Sequence, residues 1–173
     1  MWVIECSNLS KSYGKVKALD NVSFRLKKGL SLVVGPNGSG KTTLIKILSK
    51  LTFPDSGEIL VLGKKLEEIK PNEITFAFEK TVFYPRIKVG EYLKTLSEVR
   101  GCNNVEEVIE KFELKQILNK RFSQLSQGFK RRFLVATAFI GNPKVIILDE
   151  PFSNVDISAK NLLTQVLEEE SKK

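Results

Sequence analysis

The chain has 173 residues, with 28 Lys and Arg against 20 Asp and Glu, two cysteines and no histidine. That length fits about one domain, and the missing histidine excludes a His-based triad, a Cys2His2 zinc site and a 2-His-1-carboxylate centre. Two cysteines exclude a disulfide framework, and the +8 charge is spread along the chain, which speaks for a solvated surface and against a nucleic-acid stripe.

In chain order, Trp2–Leu9 and Val16–Leu26 alternate as strands, with Lys27-Lys28-Gly29 as the turn that follows. Leu30–Val34 is a short apolar run of buried-strand type, stopped by Gly35 and Pro36. Lys41–Leu51 carries Leu44, Ile47, Leu48 and Leu51 at helical spacing; Glu58–Leu62 and Ile74–Phe78 are two further strands. Val89–Val99, Val105–Phe112 and Gln127–Ile140 are helix-like, Lys144–Leu148 is a β-branched strand, and Ile157–Glu170 is a last amphipathic helix. This order predicts one α/β domain over 1–173, with a helical lobe near 80–142 inserted in it. The N-terminus lacks the marks of a signal peptide, and the longest apolar run, Phe133–Ile140, is far too short to span a membrane. A cytoplasmic protein is expected.

Between the apolar run and the first helix lies Gly35-Pro36-Asn37-Gly38-Ser39-Gly40-Lys41-Thr42, a G-x-x-x-x-G-K-[ST] loop in strand-to-helix context. Glycines let backbone N–H groups curl around a polyphosphate, and the helix N-terminus adds partial positive charge. Lys41 would reach the β- and γ-phosphates and Thr42 would offer its hydroxyl to Mg²⁺; Thr43 completes the phosphate-binding set. A second signal is Val145-Ile146-Ile147-Leu148-Asp149-Glu150, an apolar strand that ends in two acids. Asp149 is the candidate Mg²⁺ ligand and Glu150 the candidate general base, although acidic strand caps are also common without any such role.

These residues resemble the ATP-binding cassette (ABC) family. Leu125-Ser126-Gln127-Gly128-Phe129 looks like its signature motif, Ser153-Asn154-Val155-Asp156 like its D-loop, and Tyr13 matches the aromatic that stacks on adenine. The resemblance implies a P-loop NTPase of ABC type: a mostly parallel core sheet, an N-terminal antiparallel strand region and an inserted helical lobe. It also implies a head-to-tail dimer in which each ATP meets one subunit's phosphate loop and the other's Ser126 and Gly128. Judged alone, Ser126 is equally an ordinary helix N-cap and Tyr13 a packing residue.

The sequence departs from the family pattern in three places. Glu79 stands at the Q-loop glutamine; it would face Mg²⁺ through oxygen or simply pair with Lys80. Gln127 and Phe129 occupy positions where the family commonly has Gly and Gln. The family pattern continues beyond the D-loop helix with a strand and a switch histidine, and this sequence holds no histidine; a hydrogen bond of that kind can lower a barrier by ~3 kcal/mol, or ~100-fold in rate.

The expected function is the ATP-binding and hydrolysing subunit of an ABC transporter, using ATP and Mg²⁺. It would energise an integral-membrane permease from the inner face of the cell membrane, together with a second ATP-binding subunit and without nucleic acid. Two alternatives come from other classes: an ATP-dependent regulatory module with little hydrolysis, and a soluble ABC ATPase acting on nucleic acid.

Overall fold

The structure, a computed structural model, describes residues 2–81 and 83–172, which form two compact units. The first is built on residues 2–70 and the second on Pro71–Glu170.

In the first unit, β1 (Trp2–Tyr13) and β2 (Val16–Lys27) form a long antiparallel hairpin. β3 (Ser56–Val61) pairs with the other edge of β1, and the short β4 (Lys64–Lys65) pairs with β3. Ile4, Cys6, Leu9, Ile59 and Val61 turn to one face and are buried, as the two-residue strand period requires. Helix α1 (Lys41–Leu48) adds Leu44, Ile47 and Leu48 to that core. One glycine is obligatory in the sheet. Gly57 has φ +96°, and a Cβ there would stand 2.6 Å from the Asn8 carbonyl oxygen and the Leu9 Cα.

Two sequence expectations need correction in this unit. α1 stops at Leu48, not Leu51, because Lys50 turns left-handed (φ 60°) and its N–H closes on the Ile47 carbonyl. Leu30–Val34 has no strand assignment, and Leu32 and Val34 are 82% and 80% exposed. An apolar run becomes a buried strand only where a neighbouring strand takes its backbone hydrogen bonds; among the described residues no strand pairs with this one.

The second unit pairs β5 (Ile74–Ala77) with β6 (Val145–Leu148) in parallel, with Ile74 opposite Val145 and Ala77 opposite Leu148. Between them in sequence come α2 (Val89–Arg100), α3 (Val105–Lys111) and α4 (Gln127–Phe139), and α5 (Ile157–Ser171) follows β6. A parallel pair needs a long crossover, and this one carries three helices. α4 is the central element: Phe133 to Phe139 are all buried. Its final carbonyls are satisfied from outside the helix. Arg100 Nη1 donates to the carbonyls of Thr137 (2.8 Å) and Ile140 (2.7 Å), and Asn104 Nδ2 donates to that of Phe139 (3.0 Å). The buried Thr75 hydroxyl on β5 donates to the Ala138 carbonyl at 2.6 Å, which ties strand to helix. Phe83, Tyr92, Phe122 and Phe133 pack as one aromatic group, with the Phe83 and Phe122 centroids 4.5 Å apart.

Cys6, 2% exposed in the first core, is a bland thiol: burial pushes it from 9.0 up to about 12. A raised pKa means that the associated stability is complete below pH 9.0 and is lost as pH rises through about 12. Cys6→Val is therefore expected to flatten the alkaline fall in Tm across that window, followed by circular dichroism. Wild-type Cys6 should resist alkylation at neutral pH until the protein unfolds.

Candidate functional site

In the first unit, the phosphate loop enters α1 through Gly40, which holds the N-cap position at φ 92°. A Cβ at Gly40 would collide with the Ala18 carbonyl oxygen and lie 2.8 Å from Leu19 Cδ2, so the chain can pass β2 here only as glycine. Gly38 is also left-handed (φ 81°), and a Cβ on Gly35 would meet Ser39 Oγ at 2.7 Å. The Ser39 N–H bonds back to the Pro36 carbonyl at 3.2 Å, which closes the curl. Among the described residues no side chain caps the helix, so its first N–H groups face the loop unspent. Lys41 Nζ donates to the carbonyls of Gly35 (2.7 Å) and Pro36 (3.0 Å), neither of them an anion. Thr42 is exposed, while Thr43 is half-buried.

Tyr13 ends β1 opposite Val16, and the two residues that touch Gly40, Ala18 and Leu19, follow closely along β2. The hairpin thus carries Tyr13, 46% exposed, to the end of the sheet that meets the helix N-terminus. Lys11 Nζ lies over its ring, 5.6 Å from the centroid.

In the second unit, the parallel pair delivers three carboxylates to the ends of adjacent strands. Glu79 follows β5 and Asp149 and Glu150 follow β6, with the Asp149 N–H bonded to the Ala77 carbonyl at 2.8 Å. Burial pushes the Asp149 carboxyl above its ordinary range, and the charges of Glu150 and Glu79 push it the same way. The Arg131 cation and a hydrogen bond from the Glu79 backbone N–H pull it back. Glu150 is exposed with φ 50°, and its carbonyl accepts from the Ser153 N–H at 3.1 Å. Among the described residues no three His, Cys, Asp or Glu side chains close around a metal. An acidic strand end of this kind suits Mg²⁺, which takes one or two carboxylates and completes its shell with water and phosphate oxygens.

Ser126 caps α4, its hydroxyl accepting from the Phe129 N–H at 3.3 Å, as the N-cap reading expects. Gly128 is buried, and a Cβ there would stand 2.5 Å from Asp156 Oδ2 and 3.4 Å from Ala159 Cβ. Within this chain, then, the close approach at Gly128 is made by the Asp156 carboxylate. Asp156 in turn caps α5, accepting from the Ala159 N–H at 2.8 Å.

Sequence reasoning missed two residues that act here. Arg131 Nη2 donates to the Ser153 hydroxyl (2.5 Å), and Arg132 bonds Glu113 (2.8 Å) and Ser158 (3.1 Å). A charge spread along the chain gives no reason to single out either residue, yet Arg132 is only 8% exposed. The available signal was helical spacing: a helix as apolar as 133–140 buries the turn before it too. Phe129 packs against the core and lies 5.3 Å from the Arg132 guanidinium, which accounts for an aromatic at that position.

The ABC transporter family profile matches residues 19–153. The uncharacterized ABC transporter ATP-binding protein YcbN of Bacillus subtilis is 36% identical over 98% of this chain and 58% of its own length. The zinc import ATP-binding protein ZnuC of Rickettsia conorii is 33% identical over 95% of this chain and 69% of its own. Among solved structures, an ATP-binding subunit of an ABC transporter superposes with a TM-score of 0.86 at 26% identity, covering 98% of this chain and 75% of that one. A dimeric ATP-binding cassette in a post-hydrolysis state, bound to ADP and Pi, does so with a TM-score of 0.86 at 25% identity, covering 98% and 83%. The chain belongs to the ABC transporter family and has the fold of its ATP-binding subunits. It spans a little over half the length of YcbN.

Gly128→Ala tests the Asp156 contact by its sign. Gly→Ala in an open helix gains up to ~1 kcal/mol, whereas here the methyl group must displace a capping carboxylate. Denaturant unfolding is expected to show Gly128→Ala destabilising in the natural background and neutral or stabilising in an Asp156→Ala background.

Proposed function

We propose that this chain binds ATP with Mg²⁺, hydrolyses it, and energises an integral-membrane permease from the cytoplasmic side by closing against a second ATP-binding subunit. On this reading residues 1–173 are one ABC ATP-binding domain with a helical lobe near 80–142. The observation that carries the proposal is the loop at the α1 N-terminus. Among the described residues no side chain caps its N–H groups, its entry glycine admits no side chain, and its lysine rests on two backbone carbonyls. The relatives named above as ATP-binding proteins, one of them for zinc import, support the transport role.

Gly35, Pro36, Asn37, Gly38, Ser39 and Gly40 would form the phosphate cradle from backbone N–H groups, proline lending only its fixed turn, and Lys41 would exchange its carbonyl contacts for phosphate oxygens. Tyr13 would stack on the adenine. Mg²⁺ would shield phosphate charge beside the Thr42 hydroxyl and Asp149, with Glu79 a further oxygen donor. Glu150, exposed at the start of its turn, would accept the proton of the attacking water. Ser126 has a hydroxyl that is exposed and accepts from Phe129, leaving its own proton free to donate to the partner's γ-phosphate, while Gly128 keeps the helix start low. Tyr84, 83% exposed on the helical lobe, is a candidate contact for the permease. Among the described residues no helix is long and apolar enough to cross a membrane, so the permease would be a separate chain or segment.

Turnover of purified protein with Mg-ATP tests the proposal. Glu150→Gln is expected to lower kcat by roughly 10²–10⁴-fold with little change in ATP affinity, and Lys41→Ala to weaken binding itself. Equal single-turnover rates for wild type and Glu150→Gln would favour a regulatory module. Failure of any membrane protein to co-purify would count against the transport role.

A further inference from the structure

Asp55 belongs to none of the motifs above, yet it closes the end of β1 that carries Tyr13. The β1–β3 ladder runs out at Ser10 opposite Ser56, and Pro54 has no N–H with which to carry it further. The Asp55 N–H still bonds the Ser10 carbonyl at 2.8 Å. Beyond that point the Asp55 side chain takes the place of a strand: Oδ2 accepts from the Ser12 N–H and Oδ1 from Lys11 Nζ, each at 2.7 Å. The Lys11 bond above all, and then the Ser12 bond, hold the Asp55 carboxyl below the ordinary carboxylate range. The Lys11 side chain is only 15% exposed, and its Nζ lies over the Tyr13 ring, 5.6 Å from the centroid. Residues two apart on a strand share a face, which is how Lys11 reaches that ring. One carboxylate thus acts on the Tyr13 strand end twice, through the backbone one residue before the ring and through the cation over the ring.

We infer that Asp55 is a positioning residue for the nucleobase, acting through Lys11 and Tyr13. The Asp55 carboxylate holds the Lys11 ammonium over one face of the Tyr13 ring, and the ring then offers its other face to a planar aromatic base. The Ser12 bond fixes the backbone from which Tyr13 projects, just before the chain turns left-handed at Gly14 (φ 59°). A ring 46% exposed at a hairpin end has several orientations open to it, and fixing it before the base arrives lowers the ordering cost of binding. The phosphate loop closes on its own bonds, Ser39 to Pro36 and Lys41 to Gly35 and Pro36, so the effect of Asp55 is confined to the base. The inference rests on the reading that Tyr13 stacks on adenine.

Calorimetric titration of the full chain with Mg-ATP and, separately, with Mg-tripolyphosphate tests it, since tripolyphosphate has the phosphates without the base. Tyr13→Ala is expected to weaken ATP binding about 10-fold and Asp55→Ala about 4-fold, with tripolyphosphate changed less than about 1.5-fold by either. Lys11→Met should reproduce the Asp55→Ala loss, and in a Tyr13→Ala background Asp55→Ala should cost nothing further. Without nucleotide, the NMR resonances of the Tyr13 ring should move in the same direction in Asp55→Ala and in Lys11→Met. Equal Asp55→Ala losses for ATP and tripolyphosphate, or equal losses with and without the Tyr13 ring, would overturn the inference and leave a merely structural contact. So would an Asp55→Ala protein that binds ATP as the wild type does while Tyr13→Ala loses affinity. No loss from Tyr13→Ala would instead count against adenine stacking itself, and the ring resonances then decide whether Asp55 sets the ring.

Discussion

The second unit is organised by the burial of one helix. α4 is buried continuously from Phe133 to Phe139, and a helix enclosed that far must have its end groups satisfied by protein. Arg100 and Asn104, brought from α2 and the turn after it, take its last carbonyls. At the other end Ser126 caps the helix with its own hydroxyl. Once α4 is held at both ends, β5 is fixed to it through Thr75, and β6 is fixed to β5 through the parallel ladder. The positions of Glu79, Asp149 and Glu150 follow from that chain of constraints.

The same helix controls the segment that follows β6. Gly128 admits the Asp156 carboxylate, Arg131 holds Ser153, and Arg132 reaches Ser158. Three contacts from neighbouring turns of one helix therefore register the 153–158 segment against the start of α4. A motif that would meet a partner's phosphate and a loop that would carry the catalytic carboxylate are thereby mechanically one piece.

Much of the candidate site was legible in the residues. The phosphate loop was readable because each of its positions has a backbone reason, and Gly40 displays that reason in its approach to Ala18. The place of the strand acids was readable, because an apolar β-branched run that ends in Asp149-Glu150 puts both at the end of a strand, and β6 ends at Leu148 just before them. The Arg131–Ser153 contact was not readable, since an arginine on a helix looks the same in sequence whether it faces water or another segment of the chain. Leu30–Val34 was misread for a related reason. Apolar β-branched residues describe a capacity for burial, and pairing depends on a neighbouring strand that composition cannot name.

The amino-acid order by itself therefore determined most of the elements, the phosphate loop and the family, because these depend on short-range spacing, backbone freedom and apolar period. Only the tertiary structure decided which charges are neighbours. Glu79, Arg131 and Asp149 are scattered over 71 positions of the chain, from 79 to 149, and meet because β5, α4 and β6 pack together. Coulomb interactions and hydrogen bonds act through space at a few ångströms, so their partners exist only after the chain has folded.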